Sequence, residues 1–206
     1  MKYVYEAIGT FFLVFTIGMV LLQPDFPAGF APLAIGTVLA VMIFIGGHVS
    51  GGMYNPAVSL AVAVRGKMSY ADMVIYWVAQ VAGAAGAAYL ALYLTGATGT
   101  AIVIDPMKAV IVEFIFTFLL TFTVLNVATA KGTEGNSFYG WAIGMSVLVG
   151  AYSVAWISGA AFNPAVAVGA SLMGFFSWTN IWVYLVAELA AGIVAALIFK
   201  AAHREE

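Results

Sequence analysis

Two asparagines, Asn55 and Asn163, each stand directly before Pro-Ala, as Asn55-Pro56-Ala57 and Asn163-Pro164-Ala165, a shift of 163 − 55 = 108 residues in a chain of 206. Asn followed by Pro is the chemistry of a helix start. The Asn oxygen accepts from the first backbone turn, and Pro sits where a missing N–H costs nothing. An amide used in this way keeps its NH2 as an outward donor. Two such caps meeting end to end would aim two donors and two positive helix ends at one point. Water or a small polar solute would accept hydrogen bonds there, while a cation would meet a barrier. The apolar stretches that follow, about 56–64 and 164–173, are short. Nine helical residues cover roughly 13 Å, about half of a 30 Å hydrocarbon core. Entering from opposite faces, the two predict one broken span.

The flanks repeat with the motif. Ser50-Gly51-Gly52-Met53-Tyr54 before the first corresponds to Ser158-Gly159-Ala160-Ala161-Phe162 before the second, and Tyr76, Ala79 and Gln80 shift onto Tyr184, Ala187 and Glu188. A shift of 107 carries Glu6, Thr10 and Phe11 onto Glu113, Thr117 and Phe118. Carboxyl groups inside apolar helices are expensive and functional by default. The repeat symmetry of Glu6 and Glu113 predicts that each accepts from the N–H groups of the loop before a half-helix, with a proton relay as the alternative. Gln80 and Glu188 are expected to do similar buried polar work, and His48 is grouped with them. Gly51, Gly52 and Gly159 predict extended backbone before each cap, with the carbonyls of Gly51, Gly52, Gly159 and Ala160 as a ladder of acceptors. His48 lies near Ser50, but no buried acid completes a hydrolytic triad, so no enzyme is expected. Ala79, Gly83 and Ala87, matched by Ala187, Ala191 and Ala195, read as helix-packing seams, as do Gly36 and Gly144.

The elements that must carry these residues are membrane spans. The chain is 64% hydrophobic and 8% charged, with a mean hydropathy of +1.06, too apolar for a soluble domain of this length. Runs near the roughly 20 residues of a spanning helix fall at about 4–22, 31–47, 70–94, 109–129, 138–157 and 178–201. The first follows Lys2 like a signal peptide, but Glu6 interrupts it and no clear cleavage site follows, so a retained helix is expected. Three spans per half reverse the second half, giving an inverted repeat. The reading is thus one all-α membrane domain over 1–206, with repeats of about 1–97 and 105–206. Lys2, Arg65, Lys67, Lys131, Lys200 and Arg204 share one side and Lys108 takes the other. Both termini are therefore expected to be cytoplasmic, in the cell (inner) membrane. With no cysteine, disulfides and thiolate metal sites are excluded; no metal or cofactor is expected, and a charge of −2 does not favour nucleic acid.

The doubled Asn-Pro-Ala, its flanking Ser-Gly, the glutamates of the first and fourth spans and the run His48-Val49-Ser50-Gly51 together resemble the aquaporin family of major intrinsic proteins. The resemblance covers essentially the whole chain. It implies six tilted helices, two re-entrant half-helices, a pore in each subunit of a homotetramer, and passive permeation of water or small neutral solutes. An Arg usually follows the second motif in that family and forms an aromatic/arginine constriction; here Val166 stands there. By the family's spacing the other constriction positions are Ile35, Ala151 and Ala160, so all four are apolar. Met53 replaces a frequent His, and Ala167 replaces the Asp of glycerol facilitators. Val166 with Ala160 is similar to some plant vacuolar-membrane aquaporins, whereas Trp178-Thr179-Asn180-Ile181-Trp182 looks more like the water-channel branch. Hydrogen peroxide, ammonia, urea and glycerol are the candidate solutes besides water. An inverted-repeat secondary transporter and a non-conducting scaffold on the same fold are the alternatives.

Overall fold

A computed structural model describes residues 1–204 of the chain; residues 205 and 206, the end of the second expected repeat, lie outside the described residues. Among the described residues eight α-helices follow one another: α1 (Lys2–Leu21), α2 (Ala31–Ser50), α3 (Pro56–Arg65), α4 (Tyr70–Thr95), α5 (Pro106–Ala128), α6 (Tyr139–Ser158), α7 (Pro164–Leu172) and α8 (Ile181–Ala202). Six are long and apolar enough to cross a membrane. The other two, α3 and α7, have 10 and 9 residues and are the half-helices.

Local chemistry sets the ends, and in two places it moves them from the apolar runs. The second span continues past Gly47 to Ser50, because Gly51 at φ 90° closes the helix with its N–H on the Gly47 carbonyl. The fourth begins at Pro106, not near 109, because Asp105 caps it from outside the apolar run, accepting from the N–H groups of Met107 and Lys108. Hydropathy alone does not register either signal.

Packing follows the duplication. α1 lies along α4, and α5 lies along α8 in the same way, while α2 and α6 cross between the halves. Each half-helix packs chiefly against the last long helix of the other half, α3 on α8 and α7 on α4. Glycine makes the crossings close. A Cβ on Gly36 would stand 2.8 Å from the Gly144 carbonyl oxygen, and one on Gly144 would strike the Gly36 carbonyl oxygen. A Cβ on Gly83 would strike the Ala7 carbonyl oxygen, and one on Gly192 would stand 2.6 Å from that of Ala57. Large apolar side chains such as Ile8, Phe12, Ile45, Ile115 and Val186 face outward instead, as expected where the solvent is lipid.

The crossing of α2 and α6 is therefore sensitive to volume. Gly144→Val should destabilise the protein by about 1–3 kcal/mol or more through overpacking, whereas Gly132→Ala, with nothing within 4 Å, should be near neutral. Thermal unfolding in detergent, followed by tryptophan fluorescence, separates the two. Equal melting of the Gly144 variant and the parent would mean that the backbones are not in contact.

Candidate functional site

The two asparagines begin the two half-helices. Asn55, at φ −154° and ψ 120°, accepts from Ala57 N–H through Oδ1 at 2.8 Å. Asn163, at φ −160° and ψ 114°, accepts from Ala165 N–H at 3.0 Å and Val166 N–H at 3.4 Å. Each amide nitrogen then crosses to the other half. Asn55 Nδ2 donates to the Phe162 carbonyl at 2.8 Å, and Asn163 Nδ2 donates to the Tyr54 carbonyl at 2.9 Å. The NH2 groups are thus not wholly free, contrary to the expectation from sequence. One hydrogen of each ties the halves together and one remains. Trp77 Nε1 steadies the first cap by donating to the Pro56 carbonyl at 2.9 Å.

The backbone before each cap is left-handed rather than extended. Positive φ occurs at Gly51 (90°), Gly52 (62°) and Tyr54 (49°), and again at Gly159 (89°), Ala160 (58°) and Phe162 (52°). Tyr54, Ala160 and Phe162 are the non-glycine residues of this kind among the described residues, each at a cost of about 1–2 kcal/mol. Buried carboxyls hold Tyr54 and Phe162 there, and Ala160 N–H donates to the Ser158 hydroxyl at 3.1 Å. Glu6 Oε1 accepts from Ser50 Oγ at 2.7 Å and Met53 N–H at 3.0 Å; Oε2 accepts from Tyr54 N–H at 2.7 Å and Gln80 Nε2 at 2.8 Å. Glu113 Oε1 accepts from Ser158 Oγ at 2.6 Å and Ala161 N–H at 3.1 Å, and Oε2 from Phe162 N–H at 2.8 Å. The hydroxyls of Tyr76 and Tyr184 donate to the carbonyls of Ser50 at 2.8 Å and Ser158 at 2.6 Å, closing each loop from the fourth and eighth helices.

A cavity of about 330 Å³ lies beside the junction and is lined by Asn55, Asn163 and all four expected constriction residues, Ile35, Ala151, Ala160 and Val166. Gly159 also lines it. A second cavity of about 480 Å³ carries His48, Gly51, Lys67, Lys131, Glu134 and Asn136, and Ile143 lines both. Gly52 is buried and lines neither. His48 is a correction. It is exposed in the last turn of α2 and borders the charged second cavity, whereas Glu6, Gln80, Glu113 and Glu188 are fully buried. It stands two residues before the helix end, with its side chain exposed. Phe175 and Phe176 also line the first cavity. Sequence reasoning missed them, although two adjacent aromatics just after the second half-helix were a usable signal. Phe176 is held by stacking on Tyr184 at 4.4 Å.

Comparison with known proteins converges on one family. The model of the major intrinsic protein family matches residues 1–199. Aquaporin NIP1-3 of Oryza sativa subsp. japonica is 35% identical over 210 residues, covering 97% of this chain and 72% of the relative. Aquaporin TIP1-1 of Arabidopsis thaliana is 31% identical over 186 residues, covering 84% of this chain and 72% of the relative. Among solved structures, the aquaglyceroporin from Plasmodium falciparum matches with a TM-score of 0.80 at 21% identity, covering 96% of this chain and 94% of that one; this likeness is one of fold.

The crossed amides generate a prediction. Asn55→Asp and Asn163→Asp keep a capping oxygen but remove the donor to the opposite loop, leaving a buried carbonyl unpaired at about 1–3 kcal/mol. Each variant should melt earlier and, with a negative charge at the junction, should admit cations in planar-bilayer conductance. Unaltered melting and unaltered ion leak in both would remove the crossed pair from the account.

Proposed function

The chain belongs to the major intrinsic protein family, and on that premise we propose that it is a passive channel for water and small neutral solutes, with the junction of Asn55 and Asn163 at the centre of its pore. The observation that carries this reading is the lining of the first cavity. Asn55 and Asn163 contribute its only polar side chains among the described residues; the rest is aliphatic, aromatic, glycine, proline or the Met53 thioether. An ion-coupled transporter needs titratable or ion-binding groups along its path, and this wall offers none. Passive diffusion past two amide donors asks for nothing more.

Selectivity in this proposal comes from the ring of Ile35, Ala151, Ala160 and Val166. Val166 has neither the fixed donors nor the permanent charge of an arginine, and two alanines leave width. The ring passes solutes larger than water sterically but replaces none of their hydrogen bonds. Each polar group shed without replacement costs about 1–3 kcal/mol, and each 1.4 kcal/mol is about tenfold in rate. Ammonia and hydrogen peroxide, with few bonds to shed, should outpace urea and glycerol. Cation exclusion rests on the half-helix ends and the amides.

The wider setting is part of the same proposal: one channel unit over 1–206 with repeats of about 1–97 and 105–206, in the cell (inner) membrane. Both termini are cytoplasmic, and four copies associate in the bilayer as a homotetramer. The exposed, basic second cavity with His48, Lys67 and Lys131 then forms the cytoplasmic mouth, in keeping with the excess of positive charge on that side.

Stopped-flow permeability of reconstituted protein to water, ammonia, hydrogen peroxide, urea and glycerol tests the reading. Linear, non-saturating flux in that order of preference is expected. Val166→Arg should lower glycerol and urea flux about tenfold or more, from at least one added barrier of about 1.4 kcal/mol, with a smaller effect on water. Equal loss for every solute, or a parent closed to all but water, would place the narrowest point elsewhere.

A further inference from the structure

The two halves grip their loops with the same carboxyl, but the second grip is one donor short. Glu6 accepts four hydrogen bonds, two at each oxygen, and the last comes to Oε2 from Gln80. Glu113 reproduces three of them, and at the repeat position of Gln80 stands Glu188. Glu188 is fully buried, beside the Glu113 carboxyl and the Asn163 backbone N–H, and no protein donor meets either of its oxygens in hydrogen-bond geometry. Gln80 Oε1 also lacks a partner, so one unbonded oxygen is common to both halves. The atom that faces the carboxylate is what differs.

Counting hydrogens resolves the difference. The Gln80 amide has two, and both are used, one on Glu6 Oε2 at 2.8 Å and one on Ser59 Oγ at 3.0 Å. A carboxylic acid has one. The repeat mate of Ser59 is Ala167, which needs none. A second ionised carboxyl at this place would set like charges together without a counter-ion in a fully buried interior, whereas a dyad sharing one proton supplies the missing bond.

We propose that Glu188 is a neutral carboxylic acid that donates its single proton to Glu113 Oε2 in place of an amide, and so acts as a positioning residue for the second loop. Glu113 holds Phe162 N–H, and the Phe162 carbonyl receives the Asn55 amide. The proton on Glu188 therefore lies two bonds behind the junction. Polar groups near this carboxyl pair include Ser158 from the sixth helix, Tyr184 on the helix of Glu188, bonded to the Ser158 carbonyl, Thr117 one turn from Glu113 on α5, and Asn163 at the start of α7. None of these is a cation. Only the consequence for flux rests on the channel reading.

Infrared spectroscopy of the lipid-reconstituted protein tests this directly. At about pH 8, where exposed carboxyls with ordinary values near 4 are ionised, the parent should retain a protonated-carboxyl carbonyl band, and Glu188→Gln should lack it. Glu188→Gln should also keep the parent's melting temperature and flux, because an amide donates to the same oxygen. Adding Ala167→Ser to that variant, which rebuilds the first-half pattern, should raise the melting temperature. Glu188→Leu, with no donor, should melt earlier and lose flux. A parent without the band, a Glu188→Gln variant that retains it, or one as unstable as Glu188→Leu would overturn the proposal. If the band behaves as expected and no variant or parent passes any solute, the channel reading fails and this one stands.

Discussion

A buried carboxyl that accepts from strained backbone is the constraint on which the rest of this structure depends. Left-handed φ at Tyr54 and Phe162 is unfavourable by itself, and the N–H groups of both residues end on Glu6 or Glu113. Remove the acceptor and the loop has no reason to turn. Without the turn, the following Asn-Pro does not arrive with its amide aimed at the opposite half. The long helices serve this arrangement by bringing α1 and α5, which carry the glutamates, into contact with the helices that carry Gln80 and Glu188. Glycine at the crossings permits the approach, since side chains at Gly36, Gly83 or Gly144 would meet backbone atoms. Strain at the centre is offset by hydrogen bonds to the buried carboxyls one layer behind it.

Much of this was legible in the residues because it is local or periodic. Apolar run length gives the six spans, and the doubled Asn-Pro-Ala gives two half-helix starts whose caps form as Asn chemistry requires. Glu6 and Glu113 stood out as ionisable groups in apolar helices. What sequence did not reveal depends on contacts between distant segments. Nothing near Asn55 says that its amide will find the Phe162 carbonyl, 107 positions away. Nor does glycine content distinguish an extended loop from a left-handed one, and the second reading was the correct one here. His48 looked buried because its neighbours are apolar, yet it lies at the end of α2 where the core has opened into the second cavity.

Duplication supplies the plan, but the halves have diverged where their half-helices end. The C-terminal end of α3 is held by side chains: Arg65 donates to the Thr129 hydroxyl at 2.7 Å and to its carbonyl at 2.8 Å, and Lys200 donates to the Val64 carbonyl at 3.3 Å. That of α7 is held by backbone, with the Gly99 and Ile102 N–H groups on the carbonyls of Met173 at 2.8 Å and Phe175 at 2.9 Å. One end is thus polar and basic, the other apolar and aromatic, and the two cavities inherit that difference. A symmetric junction sits between two unlike half-helix ends.

The reciprocal bonds from Asn55 to Phe162 and from Asn163 to Tyr54 also bear on how the chain is made. Synthesis delivers the first half before the second exists, and at that stage the Tyr54 carbonyl and one hydrogen of the Asn55 amide have no partner. In hydrocarbon such a vacancy is unfavourable, so the first loop is held in waiting, dependent on water or passing polar groups. Arrival of the sixth helix and α7 satisfies both partners in one step. The interlock makes arrival of the second loop a condition for the centre to become rigid, so that neither half can set the junction alone.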